Sequence, residues 1–152
     1  MNFLEKKIPP PIVFLITLLL IKVSSFSGLF LIASKIRIPL ALLLIVIGIA
    51  IDIVALLSFC KMKTTINPLN PSATTSLVTT GIYAVTRNPM YLGLVFILLG
   101  ASVYLENLLG VFFIALFIAY ISRLQIFPEE RVMQELFKDE FNHYCQQVRR
   151  WI

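Results

Sequence analysis

Charge is what this sequence has least of. Of its 152 residues, 13 are Lys or Arg and 8 are Asp or Glu, 14% in all, against about 25% in an ordinary soluble domain. There is one histidine, His143. It has no carboxylate, Cys or His set at metal-ligand spacing, so no metal site is expected. The two cysteines, Cys60 and Cys145, lie far apart with no metal or redox spacing and read as free cytosolic thiols rather than a disulfide framework. The bases do not gather into a separate domain, which argues against nucleic acid. They flank apolar runs, and the net charge of +5 points to anionic lipid head groups.

Apolar residues are plentiful, at 59%, with mean hydropathy +0.91. One small domain cannot hide that much apolar surface from water, so the bilayer is the expected solvent. Four runs have about 17–22 residues, enough for a helix across a core about 30 Å thick: residues 8–25, 38–59, 89–105 and 108–127. The 28–34 stretch is expected in the interface or as a re-entrant piece. Glu106-Asn107 leaves room only for a tight turn, so the last two runs form a helical hairpin. Lys6 and Lys7 before the first run resemble a signal peptide. Pro9-Pro10-Pro11, Lys22 and the lack of an Ala-x-Ala-like site favour a transmembrane helix.

With the N-terminus inside, Lys6, Lys7, Lys61, Lys63, Arg87, Arg123, Arg131, Lys138, Arg149 and Arg150 fall on the cytosolic side, against Lys35 and Arg37 outside, with Lys22 near the outer end of its run. This positive-inside bias puts the 61–88 loop and the 128–152 tail on one cytosolic face.

That face carries the polar pattern. Asn67-Pro68 and Asn70-Pro71 are turn dipeptides, with hydroxyls at Thr64, Thr65, Thr74, Thr75, Ser76, Thr79 and Thr80. Gly81 suits a positive φ or a close ligand. Asn88-Pro89 reads as an N-cap and first helical position, a helix start suited to a carboxylate. A capped helix after a short loop would explain the same residues. Pro128 is expected to start a separate amphipathic helix over 128–150. Its acids Glu129 and Glu130 suit the first turn, and its apolar face is Met133, Phe137, Phe141, Tyr144, Val148 and Trp151. Tyr144 and Trp151 read as interfacial anchors. Asp52, buried about 10–11 Å inside its run, is expected to pair with Arg123, to be protonated, or to line a substrate path.

At these residues the chain resembles the isoprenylcysteine carboxyl methyltransferase family and the related membrane phospholipid methyltransferases, especially short bacterial members. The matching elements are Thr64-Thr65-Ile66-Asn67-Pro68, Leu77-Val78-Thr79-Thr80-Gly81-Ile82-Tyr83, Arg87-Asn88-Pro89-Met90-Tyr91-Leu92-Gly93, Pro128-Glu129-Glu130, and the tail from Leu136-Phe137 through Val148-Arg149-Arg150-Trp151. The resemblance implies an all-α integral membrane protein of about four spans plus a C-terminal amphipathic helix, in a bacterial inner membrane, with both termini and the active site cytosolic. It implies S-adenosylmethionine as cofactor, bound by Val78, Gly81, Tyr83, Asn88, Pro89, Tyr91, Glu129 and Glu130, and an amphiphilic or lipid-like substrate. Asn88 stands where many relatives have His. Phe137-Lys138 stands where Phe-Gly is usual.

A sulfonium methyl is already activated, so catalysis is mainly alignment and dehydration of the nucleophile. A carboxylate acceptor needs no base, and Arg87 could orient it as the catalytic residue. An ammonium acceptor needs a base first, and Glu129 and Glu130 look committed to the cofactor. The expectation is therefore carboxyl O-methylation, with phospholipid N-methylation as the alternative. A non-catalytic four-helix subunit or lipid-binding scaffold is the reading from another class.

Overall fold

The computed structural model describes residues 8–25, 34–62 and 77–152. The 28–33 stretch, the Asn67-Pro68 and Asn70-Pro71 turns and the Thr64–Pro68 motif lie outside the described residues. Among the described residues the structure is all helix, with no strand. The helices are α1 (Pro10–Ser24), α2 (Ser34–Met62), α3 (Pro89–Tyr104), α4 (Leu109–Ile121) and α5 (Phe127–Gln147), with a 3-10 turn at Gly81–Ala84 before α3 and a π-helical stretch at Ser122–Ile126 before α5.

The helix α3 is central. It packs against α2 on one side and against α1 and α4 on the other. Tyr91, Val95 and Leu98 of α3 meet Ile21, Ile114, Phe117, Ile121 and Ile126 in the main apolar core. The opposite face of α3 is small. Gly93 and Gly100 lie seven residues apart and face a matching seven-residue series on α2, the buried Ala41, Gly48 and Ala55. Small residues at that spacing let two backbones approach closely. A β-carbon on Gly48 would lie 2.6 Å from the Gly93 carbonyl oxygen, and one on Gly100 would lie 2.8 Å from that of Ala41.

The far end of the bundle is tied by the turn between α3 and α4. Glu106 takes a positive φ of 52° and pairs with Arg37 at the start of α2. Asn107 donates to the Ile21 carbonyl, 2.6 Å, and to Ser24 Oγ, 2.7 Å, at the end of α1. At the other end Gln125 Nε2 donates to the Ile8 carbonyl, 2.8 Å. The expected tight hairpin is therefore present.

Among the described residues, two helices are long and apolar enough to cross a membrane: Lys35–Ser58 and the 39-residue run Leu109–Gln147. The helices α1 and α3, with 15 and 16 residues, are apolar but shorter than the four-span expectation requires on length alone. Their neighbours expose large apolar side chains in rows. Leu42, Leu43, Val46, Ile49, Ile53, Val54 and Leu57 of α2 are each roughly half exposed, far more than a water-facing helix tolerates.

The expected break at Pro128 is absent. Proline lacks an N–H, and its ring would strike the Leu124 carbonyl in a regular α-helix. The preceding turn instead widens to a π turn, and the helix continues. Glu129 and Glu130 thus do not cap a free helix end. The real irregularity is at Lys138, with φ 42° and ψ −111° inside α5. A residue with a β-carbon is strained in that conformation, and glycine would not be.

Two stability predictions follow from the packing. Gly48→Ala should push α2 off α3 and cost about 1–3 kcal/mol, lowering the thermal midpoint in detergent by several degrees. Ile49→Val, on the exposed face, should shift it little. Lys138→Gly should raise the midpoint, because a non-glycine residue at positive φ costs about 1–2 kcal/mol.

Candidate functional site

The polar residues gather where the loop before α3 meets α5 and the chain end. Thr80 is extended. Gly81 follows at φ 65°, the left-handed region that glycine occupies without penalty. Around its Cα there is space, the nearest atom to an added β-carbon being Ser58 Oγ at 3.8 Å. The 3-10 turn then drops Tyr83 into a small apolar cluster with Val78 and Ala55. Thr86 and Pro89 are almost fully buried.

Asn88 occupies the N-cap position of α3, but its side chain makes no capping bond. Its Nδ2 donates instead to the Arg150 carbonyl, 2.9 Å, and Thr86 Oγ1 donates to the same oxygen, 3.3 Å. The Arg87 amide donates to the Arg149 carbonyl, 3.0 Å. The chain end thus lies along residues 86–88 as a strap, held also by Trp151 Nε1 donating to Ser122 Oγ, 3.2 Å.

Glu130 is the hub. Its carboxylate accepts from Arg87 Nη2 at 2.8 Å, and from Arg150 through a fork, Nε at 3.0 Å and Nη2 at 2.6 Å. Such two-point pairs are the strong kind. Arg150 also stacks on the Phe127 ring, 4.3 Å from its centroid. Two cations share one anion, so the group keeps a positive charge, and the buried Arg87 Nε has no hydrogen-bond partner. The hydrogen bond to Glu130, before its charge, raises the Arg150 pKa. Glu129, one residue earlier, accepts from Tyr91 Oη at 2.7 Å.

Tyr144 is buried against Phe141 and Val148, and its hydroxyl donates to the Tyr83 carbonyl at 2.6 Å. It is a tie between α5 and the loop, not the interfacial anchor expected. Burial first, and then the acidic groups of Tyr144, Glu129 and Asp52 nearby, push the Tyr83 phenol above its ordinary range. Burial also raises Tyr144, against the lowering effect of Arg87. Both phenols therefore stay protonated at neutral pH.

The structure brings Arg87 to Glu130, Tyr91 to Glu129, Val78 to Tyr83, and Asn88 and Pro89 to the strap. Gly81 stands at the exposed edge beside α2. Arg150 and Tyr144 are missing from the site residues expected from sequence. Arg150 lies within the tail motif Val148-Arg149-Arg150-Trp151, but no local pattern reveals a contact twenty residues back along the chain. The expected Asp52–Arg123 pair does not form. The helix α3 lies between α2 and α4, and Arg123 is exposed, 5.9 Å from the Phe127 ring centroid. No metal-binding group of three or more His, Cys, Asp or Glu exists among the described residues.

The phospholipid methyltransferase family model matches residues 36–140, from the first turn of α2 into α5. It encloses the 78–93 motif and Glu129-Glu130, and leaves the strap outside. An uncharacterized protein of Haemophilus influenzae is 41% identical over 63 residues, which are 41% of this chain and the whole of that protein. No solved structure matches the chain.

Glu130→Gln should loosen the strap, because removing the shared anion leaves two guanidinium groups facing each other. The loss should be about 2–3 kcal/mol, below the roughly 3–5 kcal/mol of a fully buried pair, since the group is partly exposed. Limited trypsin digestion in detergent should then cut after Arg149 and Arg150 sooner than in the native protein.

Proposed function

We propose that this chain, which belongs to the phospholipid methyltransferase family, moves a methyl group from S-adenosylmethionine to the head group of a lipid-like acceptor at a membrane face. The observation that carries this reading is the convergence of Glu129 and Glu130 on Tyr91 and Arg87. Residues some forty positions apart in sequence meet at one end of an apolar bundle, where polar groups are costly to keep without a task.

The residues present suit the cofactor. Gly81 leaves an approachable backbone, Glu129 offers a carboxylate to hydroxyls or an amine, and the net positive Arg87–Glu130–Arg150 group suits a carboxylate. Val78, Tyr83, Asn88, Pro89 and Tyr91 would line it in this reading. When bound, the cofactor supplies an activated methyl on a sulfonium. The chain's own work is to orient the acceptor and to keep water away from it.

The acceptor is amphiphilic, because the site borders the apolar rows of α2. Carboxyl O-methylation would rest on Arg87 as the orienting cation. That support is reduced, since Arg87 already shares Glu130 with Arg150. In this reading four helices span, with both termini and the site cytosolic.

Titration of the detergent-solubilised protein with S-adenosylhomocysteine should give saturable binding. Glu129→Gln should weaken it about tenfold or more, since a hydrogen bond to a charged group contributes roughly 1.5–3 kcal/mol. Absence of binding by folded native protein would leave the non-catalytic scaffold reading. Reporter fusions after Trp151 and within Glu106-Asn107 should report opposite sides of the membrane.

A further inference from the structure

Arg123 has no part in the site described above. It is exposed on the π stretch and makes no ion pair with a described acid. Its guanidinium carbon lies 5.9 Å from the centroid of the Phe127 ring, and that of Arg150 lies 4.3 Å from the same centroid. Two cations therefore converge on one ring, which is itself 36% exposed. A ring face attracts a guanidinium but does not neutralise its charge. Arg150 commits Nε and Nη2 to Glu130, and its Nη1 stays outside that pair. Both acids at the start of α5 are engaged, Glu130 by Arg87 and Arg150, and Glu129 by Tyr91.

The surface leading to this pair of arginines is apolar. Phe112, Leu116, Tyr120, Arg123 and Phe127 follow at steps of four, four, three and four along the continuous helix from α4 through the π stretch into α5, which puts them on one face. Phe112 and Leu116 are 59% and 51% exposed. The rise from Phe112 to Arg123 is about 16 Å, one leaflet's share of a hydrocarbon core about 30 Å thick. Two cations at the end of an apolar stripe of that length complement an anionic head group joined to an acyl chain.

We infer that Arg123 and Arg150 hold the phosphate of an anionic phospholipid whose acyl chain lies along the outward face of α4. Guanidinium N–H groups donate to the phosphate oxygens. The inference rests on the reading of α4 as a membrane span. This lipid is a bound partner and not the methyl acceptor, because α3 stands between α4 and the apolar rows of α2 that border the proposed acceptor site. It also meets the strap: Trp151 follows Arg150, and its Nε1 donates to Ser122 Oγ, one residue before Arg123.

Trp151 is the one tryptophan of the chain, and its place beside both arginines makes it the probe. Full-length protein in phosphatidylcholine nanodiscs is given increasing amounts of phosphatidylglycerol brominated on its acyl chains, with brominated phosphatidylcholine as the neutral comparison. Bromine quenches indole fluorescence only at close range. Half-quenching should need about fivefold less phosphatidylglycerol than phosphatidylcholine, since each arginine beside an anionic head group adds attraction. Arg123→Gln should bring the two lipids within about twofold of each other, whereas Lys35→Gln at the far end should leave the preference unchanged. S-adenosylhomocysteine affinity should stay within about threefold in Arg123→Gln, since Arg123 sits on Phe127 and not on Glu129 or Glu130. An equal loss of preference in both variants would mean general charge attraction and overturn the inference, as would an unchanged preference in Arg123→Gln. Should Arg123→Gln fail to fold, the native protein still decides: equal quenching by the two lipids overturns it. Absence of S-adenosylhomocysteine binding by native protein, with the lipid preference intact, would strike the methyltransferase reading and leave this one standing.

Discussion

Glu130 is the anion on which the polar end of this molecule depends. Its carboxylate holds Arg87 of the loop and Arg150 of the chain end together. Through them it ties together three parts that are distant in sequence: the entry to α3, the start of α5 and the strap. Apolar packing sets helices side by side but is indifferent to their ends. A charged hub with directional donors supplies the missing registration, and it works well where little water competes.

The rest of the bundle follows a second constraint, the close approach of two apolar helix backbones. The α2–α3 seam answers with small residues in matched steps of seven, and the far turn answers with Asn107 and Arg37 closing on α1 and Glu106. Close backbone approach also makes the seam intolerant of added atoms. Asp52 sits in that seam because Gly93 gives it room, so the same device that joins the helices admits a carboxylate beside the site.

The π stretch shows how a local rule is met without the expected outcome. Pro128 forbids a regular α-helical turn before it, which makes a helix boundary the natural reading. Widening the preceding turn removes the clash and lets the helix run on. It also turns Glu129 and Glu130 toward Tyr91 and Arg87, which explains why the acids cannot be understood as simple caps.

The sequence by itself determined the all-helical class, the positions of the apolar helices, the hairpin at Glu106-Asn107 and the grouping of the 78–93 motif with Glu129-Glu130. These rest on composition, run length and ordered motifs, all of which are local or additive along the chain. The sequence also flagged Lys138, though only the backbone at φ 42° says why glycine belongs there. Tertiary structure alone decided that α3 is central, which separates Asp52 from Arg123. It decided that Tyr144 faces inward to Tyr83, that Asn88 binds the strap instead of capping its own helix, and that Arg150 joins Arg87 on one carboxylate. Each of these depends on which elements are neighbours in space, and hydropathy is silent on that because α1 to α4 are apolar on nearly every face.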